Sequence, residues 1–486
     1  PAPGNTFINR GSTRWDITQN IISLYGMDTI KLTPRFTVIP GLRWVFQGVP
    51  NETRGRFADF LPNQGLVTAS QLPDGQIYKN VWTNFEPRLG LSYLLWSHPG
   101  HQTVLRMGYG IYHDTAGIRP LEALTQNPVG ATGVFSSTPA APIPFGPGVP
   151  IFGVGTPKPP FNVNAIQQDL KPQNAQEWSL NVEQELSPRM VLQVGYVGTK
   201  GTHMWQALDV NQPIPGPAAG NQSRRPFNTV FPNLRQILTI SSAGNSSYNA
   251  FQASLRSRAF HGLTSLVAYT WSHSITTGDA TSDLGGTTGF QPSDSTNLRR
   301  SRGNSMFDQR QALLISYVYD LPIQKLARGW RMVTEGWQLS GSTTFRDGLA
   351  TPVFDTTNPS GTSENRDRPD CVGPIVYQLS DLTKPYVVSG LAPAQRGTFG
   401  NCPRNPLTAP GLNDWDIGLT KNTRVREGMM LQFRVDFFNA FNHPNFSQPS
   451  PDLSTRITST VDDGAFDSHF GVGGPRNVQL NLKIIW

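Results

Sequence analysis

Long hydrophobic runs are missing from this chain of 486 residues. No stretch of about 18 apolar residues occurs, whereas a transmembrane helix needs about 20 such residues in a row. The sequence therefore excludes transmembrane helices. It does not exclude membrane-spanning strands, because such a strand needs only about 9–11 residues and every second one can be polar.

Cysteine is also scarce, since the chain has only two, Cys371 and Cys402. Two cysteines are too few for a disulfide scaffold or a metal cluster. The histidines show no zinc-ligand spacing, and no Gly-x-Ser-x-Gly nucleophile motif is present. Glu183 and Glu185 share one face of a predicted strand, and we interpret them as polar surface rather than as an acid–base pair. We therefore predict no catalytic residue, no metal site, no cofactor and no enzymatic activity.

Charge is low and scattered. Charged residues make up 15% of the chain, and the formal net charge is +7. The densest basic segment, Asn297-Leu-Arg-Arg-Ser-Arg302, lies between two predicted strands and not on a helix. A nucleic-acid-binding protein needs a basic face within a recognisable module. We therefore predict that nucleic acid is not a partner.

An alternating pattern dominates what is present, and it is clearest in the last twelve residues. Side chains of a strand alternate between its two faces. One face of this segment carries only apolar residues, namely Val478, Leu480, Leu482, Ile484 and Trp486. A bulky apolar terminus is unusual in a soluble protein, whose ends are usually polar and frayed. The pattern is explained if the apolar row faces lipid and Trp486 lies in an aromatic girdle at the membrane surface.

The same alternation recurs along the chain and predicts about 13 strands in all. Short turns, such as Ser187-Pro-Arg189 and Arg426-Glu-Gly428, alternate with long connections, such as the segment Gly48 to Asn84, which we interpret as polar. This arrangement is typical of a transmembrane barrel, with turns at one end and loops at the other. Most connections in compact soluble domains are short. A soluble array of β-sandwiches is the alternative fold.

Charged residues occupy the polar faces of several predicted strands. Those that we select are Arg88, Arg106, Glu183, Arg434 and Asp436. In a dry core each of these side chains would need a partner, whereas a water-filled lumen tolerates them. We therefore predict that these five residues face the lumen.

Four tryptophans near predicted strand ends have two interpretations. Trp44, Trp96, Trp178 and Trp271 could stack on sugars, or they could anchor a barrel at the membrane interfaces. Their positions near strand ends favour anchoring.

Several short segments together resemble one family, the TonB-dependent receptors of the bacterial outer membrane, and in particular the Oar-like barrels. The resemblance covers almost the whole chain, and its specificity comes from the order and number of the segments. They are Leu32-Thr-Pro-Arg-Phe36, Gly41-Leu-Arg43, Phe85-Glu-Pro-Arg-Leu-Gly90, Val104-Leu-Arg-Met-Gly-Tyr-Gly110, Val194-Gly-Tyr-Val-Gly-Thr-Lys-Gly-Thr-His203, Ala268-Tyr-Thr-Trp-Ser272, Gly336-Trp-Gln-Leu-Ser340, Phe399-Gly-Asn401, Arg404-Asn405 and Phe437-Phe-Asn-Ala-Phe-Asn-His-Pro-Asn-Phe446.

The resemblance implies an all-β fold, an antiparallel transmembrane barrel with long extracellular loops and short periplasmic turns. Members of the family also have a signal peptide, a plug domain and a motif for the energising partner, and we see none of these in the sequence. Bacterial barrels have an even number of strands, and transporters of this type have about 22. We therefore expect residues 1–486 to be the C-terminal portion of a larger barrel.

The implied function is TonB-dependent uptake of a bulky ligand through the outer membrane. The sequence does not distinguish a glycan, a peptide or a siderophore. The expected partners are outer-membrane lipid, the barrel-assembly machinery through the terminal strand, and the TonB-type energising complex only through N-terminal parts outside this chain. The alternative function is a passive structural or adhesive barrel whose loops bind partners.

The barrel topology that the resemblance implies also bears on Cys371 and Cys402. Counting back from a periplasmic C-terminus places both in one extracellular loop, where the setting is oxidising and favours a disulfide. Such a bond would stabilise the loop by roughly 3–4 kcal/mol in the chain-entropy treatment. We expect the loop to need it, because Asn358-Pro-Ser-Gly361 and Asn365-Arg-Asp-Arg-Pro369 offer little to bury. Two unpaired thiols are the alternative.

Overall fold

Thirteen long strands form the path of one antiparallel sheet in the computed structural model. The structure describes residues 5–9, 16–114, 117, 119–124, 127, 132–136, 159–258, 262–278, 291–326, 330–364, 367–379, 381, 384–450, 452 and 474–486. The long strands are β1 (Ile21–Met27), β2 (Phe36–Gln47), β3 (Phe85–His98), β4 (His101–His113), β5 (Asn174–Ser187), β6 (Met190–Asp209), β7 (Leu234–Ser257), β8 (Leu263–Thr276), β9 (Gln311–Asp320), β10 (Trp337–Arg346), β11 (Leu412–Arg426), β12 (Met429–Phe438) and β13 (Asn477–Ile485). The all-β fold expected from the sequence is confirmed.

Each strand pairs with its neighbours in the chain, so the sheet follows sequence order from β1 to β13. Every second connection is short, with two to eight residues, except that the β9–β10 connection has 16 residues and contains two short helices. Gly100 and Gly428 adopt φ of 78° and 77° in the turns β3–β4 and β11–β12, a backbone region that glycine enters without steric cost. The other connections are long. The predicted alternation of short turns and long loops is therefore present, and all the long loops leave the same end of the sheet.

The sheet path is open within the described residues. No pairing there joins β1 to β13, and these two end strands are the most exposed of the path. Tyr25 on β1 is 82% exposed, and Leu482 on β13 is 68% exposed. The first predicted strand differs from the prediction, because Ile17–Thr18, β1 and Ile30–Thr33 are separate pieces in place of one continuous strand.

Shorter elements lie before β1 and in the connections between the long strands. Strand pairs are formed by Asn5–Asn9 with Thr132–Ser136, Ile17–Thr18 with Asn51–Glu52, Ala58–Leu61 with Gly65–Thr68, Ala350–Thr351 with Leu407–Thr408, and Asp370–Tyr377 with Val387–Ala392. Ile30–Thr33, Phe161–Ile166 and Gly303–Asn304 pair with β2, β7 and β8, respectively. The α-helices are Arg119–Leu124, Ile323–Leu326 and Arg331–Thr334. Within the described part of the chain, no helix has the length and apolar character needed to cross a membrane.

The buried hydrophobic core lies among the long connections and not within the sheet. We name this region the loop cap: the described residues of 48–84, 114–173, 210–233, 277–310 and 347–411, with the adjoining ends of β6 and β7. Its larger cluster is formed by Phe57, Leu61, Val67, Leu72, Ile77, Tyr78, Leu121, Ala123, Leu124, Ile166, Leu170, Trp205 and Ile240. Six of these residues come from Gly48 to Asn84, so interpreting that segment as polar is wrong. Its apolar residues have no strand period, because they pack in a tertiary core instead of along a sheet face.

Candidate functional site

The five charged residues selected from the sequence lie on one face of the sheet. Directly opposed residues of antiparallel strands point to the same face. The register connects Arg106 on β4 to Asn181, Gly195, Gln252, Thr270, Ala312, Arg346 and Leu412 on successive strands. On β11, Leu412, Gly418 and Thr420 share one face, because alternate residues of a strand point the same way. Gly418 opposes Asp436, and Thr420 opposes Arg434. Arg88 opposes Gly110, and Glu183 opposes Val104, so both also share the face of Arg106.

Most of these charges are paired on that polar face. Arg106 Nη1 lies 2.6 Å from Glu183 Oε2, and Arg434 Nε lies 2.8 Å from Asp436 Oδ1. Asn481 Nδ2 donates to Asp436 Oδ2 over 3.4 Å. The arginine side chains of both ion pairs are half exposed, which suits a wet surface more than a dry core. That this surface is a lumen stays a prediction.

Arg88 has a different environment, which the sequence did not indicate. Its Nη2 lies 3.0 Å from Oε2 of Glu86, whose side chain is buried, and its guanidinium lies 4.6 Å from the ring centroid of Tyr112. Glu86 also accepts a hydrogen bond from the backbone N–H of His113 over 2.8 Å. The carboxylate thus joins β3 to β4 at the end that faces the loop cap.

A cavity of about 650 Å³ spans strands β6 to β12. Its lining includes Arg256, Ser316, Ser340, Ser342, Asp416, Arg434 and Asp436, all on the polar face by the register. Hydroxyl groups and charges of both signs are therefore part of the lining, together with apolar residues such as Val191, Leu266 and Val318. Such a lining can form many hydrogen bonds with a polar occupant.

The opposite face is apolar and exposed. One row crosses five strands through Met107, Leu180, Tyr196, Phe251 and Trp271, each at least 41% exposed. The terminal row continues this face, because Val478, Leu480, Leu482 and Ile484 oppose Phe437, Val435, Phe433 and Leu431. Trp486, the last residue, is 90% exposed. A continuous apolar belt of this size does not suit contact with water.

The four selected tryptophans have different surroundings. Trp271 and Trp96 are 62% and 58% exposed. Trp44 stacks on Trp82, with ring centroids 6.4 Å apart, and its Nε1 donates to the Trp82 carbonyl over 2.8 Å. Trp178 is partly exposed. Anchoring at the membrane interface stays a prediction for all four.

Cys371 and Cys402 are joined by a disulfide bond in the structure, with Cα atoms 4.9 Å apart. The long connection from β10 to β11, which contains both cysteines, is more buried than expected. Ser360 is fully buried, and its N–H donates to Asp367 Oδ2 over 2.9 Å. The expectation that this connection buries little is therefore wrong. It buries polar groups that are hydrogen-bonded to one another, and not mainly apolar side chains. Asn365 and Arg366 lie outside the described residues.

A buried charged cluster connects two loops of the cap. Arg225 Nη1 lies 3.2 Å from Asp209 Oδ2 and 3.9 Å from Glu364 Oε1. Gln212 Nε2 donates to Glu364 Oε2 over 2.9 Å. Burial raises the pKa of Glu364 to about 9. A hydrogen bond with Asp209 and repulsion from its carboxylate act in the same direction. Glu364 therefore holds a proton more readily than an exposed glutamate does.

Asp59 is a second buried carboxyl group of the cap. Its Oδ1 accepts the N–H groups of Phe60 and Ile166 over 2.8 and 3.0 Å, and its Oδ2 lies 3.4 Å from Gln168 Nε2. Burial raises the pKa of Asp59 to about 7, although the backbone hydrogen bonds from Ile166 and Phe60 act in the opposite direction. The carboxyl group thus joins the strand Ala58–Leu61 to Phe161–Ile166.

Across the described residues, no group of three or more histidine, cysteine, aspartate or glutamate side chains is arranged to hold a metal ion.

Comparisons with known proteins agree with this architecture. Residues 2–479 match the family described as outer membrane beta barrel domain. The outer membrane transporter YddB from Escherichia coli is similar in structure, with a TM-score of 0.51 at 10% identity, covering 96% of this chain and 45% of YddB. The siderophore receptor PiuA from Acinetobacter baumannii has a TM-score of 0.46 at 11% identity, over 97% of this chain and 44% of PiuA. The chain thus spans less than half the length of either protein. No curated protein sequence matches it.

Proposed function

Because the chain belongs to the family of outer membrane β-barrel domains and thereby to the bacterial outer membrane, we propose that it forms the wall and the cell-surface loops of a TonB-dependent receptor that takes up a bulky ligand. The Oar-like subtype is part of the proposal and rests on the segments quoted above. The ligand class, whether a glycan, a peptide or a siderophore, is left open.

One observation carries the proposal: the sheet has two opposite faces of different chemistry. The apolar face suits lipid, and the charged face with its 650 Å³ cavity suits a wet passage. The packed loop cap at one end supplies a structured surface on which a ligand can be recognised before it passes inward. A passive pore needs no such folded cap.

Energised transport is tested by deleting the gene and comparing growth on a panel of scarce iron sources, oligosaccharides and peptides. We expect the deletion to abolish growth on one class of nutrient. The wild-type gene should restore that growth only in a strain with an active TonB-type complex.

The alternative is a structural or adhesive barrel, and the same strains test it. In that case growth would be unchanged on every nutrient, and the deletion would instead reduce adhesion or envelope integrity irrespective of the energising complex. This result would contradict the transport proposal.

We further propose that the barrel-assembly machinery recognises β13 through its apolar row and Trp486. Trp486→Ala should lower the amount of protein inserted in the outer membrane, measured by surface protease accessibility. Lys483→Gln, on the polar face of the same strand, is the matched control and should insert normally. Equal insertion of both variants would exclude the proposed recognition.

A further inference from the structure

The β9–β10 connection is longer than the other connections at its end of the sheet, and its last part is apolar and exposed. Trp330 is 78% exposed, and Met332 and Val333 in the helix Arg331–Thr334 are 51% and 58% exposed. Single exposed apolar residues are common on protein surfaces, whereas three within four residues form a patch that indicates an interaction. We name these three residues the interface patch.

Backbone contacts hold the interface patch against the sheet. The Asn422 N–H on β11 donates to the Gly336 carbonyl over 2.8 Å. Gly336 adopts φ of 76°, and a Cβ atom there would overlap the Asn422 carbonyl oxygen, so only glycine fits. Thr334 is 8% exposed, and its Oγ1 donates to the Trp330 carbonyl over 3.2 Å. The exposed side chains therefore belong to a packed segment and not to a loose loop.

The interface patch adjoins the apolar belt of the sheet. Trp337 on β10 opposes Lys421 on β11, and Lys421 opposes Phe433 on β12, so all three lie on the apolar face. The indole Nε1 of Trp337 donates to the Val333 carbonyl over 2.7 Å. A side chain of the apolar face thus contacts the backbone of the patch directly. The patch therefore lies at the edge of the belt and continues it.

Lys421 marks the level at which the belt meets polar surroundings. A charged group on a lipid-facing surface is costly unless it reaches the membrane interface. Lys421 Nζ donates to the Glu335 carbonyl and, over 3.4 Å, to the Asn422 carbonyl, and it lies 5.7 Å from the centroid of the Trp337 ring. A lysine stem can lie along apolar surface while its ammonium group reaches the interface in this way. The helix Arg331–Thr334 directly precedes Glu335 and lies at the same level.

The charged side chains beside the patch are compatible with lipid headgroups. Arg331 Nε lies 2.8 Å from Glu335 Oε1, and the two side chains are 78% and 37% exposed. The pair has no net charge, and both groups can contact water or headgroups. Apolar side chains next to exposed charges are typical of segments that lie in the plane of the membrane interface.

From these contacts we infer that Trp330, Met332 and Val333 insert into the phospholipid headgroup region and anchor the base of β9 and β10 at the membrane surface. Tryptophan suits this position, because its ring is apolar and its N–H can donate to a polar group. The choice of leaflet rests on the proposed function. With the loop cap at the cell surface, the patch lies in the periplasmic leaflet.

A spin label at position 332 tests this inference. Because Cys371 and Cys402 are paired, Met332→Cys supplies the only free thiol. In vesicles of phosphatidylethanolamine and phosphatidylglycerol, the label's collision rates are measured with oxygen, which concentrates in lipid, and with a nickel chelate, which stays in water. We expect a ratio of oxygen to nickel collisions several-fold higher than for a label at Glu427→Cys.

Glu427 is the matched control, because it is exposed in the β11–β12 turn at the same end of the sheet. It lies six residues beyond Lys421, which is about 20 Å along a strand. Leu482→Cys, 68% exposed on the apolar belt, gives the value for lipid. Adding Trp330→Ala to the variant labelled at position 332 should lower its ratio towards that of Glu427, since the largest apolar side chain of the patch is lost.

A label at position 332 that meets the nickel chelate as often as the Glu427 label would overturn the inference. Shielding from both oxygen and nickel would do so too, since it would indicate contact with protein, a second copy of the chain included. In either case, lipid contact at Leu482 would leave the proposed barrel intact, whereas its loss would contradict the barrel as well. If Met332→Cys does not assemble, Val333→Cys takes its place.

Discussion

Arg106 and Glu183 are joined on the polar face of the sheet, with Nη1 and Oε2 2.6 Å apart across strands β4 and β5. They are not directly opposed, because Arg106 opposes Asn181 and Glu183 opposes Val104. The two long side chains therefore reach diagonally. Their side chains are 50% and 37% exposed, so solvent screens the attraction.

A double-mutant cycle with Arg106→Gln and Glu183→Gln measures this ion pair. We expect a coupling free energy below about 1 kcal/mol, because exposed pairs contribute little. Denaturant unfolding of the barrel in lipid vesicles provides the measurement. A coupling of several kcal/mol would show that water is excluded from the pair, contrary to a wet polar face.

Phe433 and Arg434 are adjacent on β12 and point to opposite faces. Phe433→Arg places a charge in the apolar belt and should lower the free energy of unfolding in a bilayer by about 2–4 kcal/mol. Arg434→Gln, the matched control, should cost much less, since it removes only a half-exposed ion pair. Equal losses for the two variants would contradict the assignment of the apolar face to lipid.

The bond between Cys371 and Cys402 closes a loop with a sequence separation of 31. The double variant Cys371→Ser, Cys402→Ser should destabilise that loop by about 3–4 kcal/mol in the chain-entropy treatment. Limited proteolysis on intact cells should then cleave residues 371–402 far faster than in the wild type. In the wild type, a thiol reagent should label neither cysteine before reduction. Labelling of both would show that the disulfide is absent.

Stability of the loop cap should depend on pH through Asp59. The folded-state pKa, about 7, lies above the ordinary value of 3.8, so the stability from this group is fully present below 3.8 and is lost as pH rises through 7. The change corresponds to roughly 4 kcal/mol. Hydrogen exchange of the cap at pH 5 and pH 8 provides the measurement.

Asp59→Asn separates the contribution of Asp59 from the contributions of other titratable groups in the loop cap. The amide keeps an oxygen for the N–H groups of Phe60 and Ile166 but cannot ionise. The variant should therefore exchange more slowly than the wild type at pH 8, with a smaller difference between the two pH values. An unchanged pH dependence would exclude Asp59 as its source.

The sequence alone determined the strands, their alternating faces and the order of turns and loops. The side-chain period of an extended chain is local, so Arg434 and Phe433 could be assigned to opposite faces without knowing the fold. The five charged positions follow for the same reason. Their common face also needs the register, which connects neighbouring strands in a regular way.

Only the tertiary structure decided the loop cap. Phe57, Leu124 and Trp205 meet in one core although they are far apart in the sequence, and no local period marks them. The same holds for Arg368, which was part of a segment expected to bury little. Packing leaves Arg368 only 6% exposed, and the energy of a charge depends on its surroundings and not on its place in the chain.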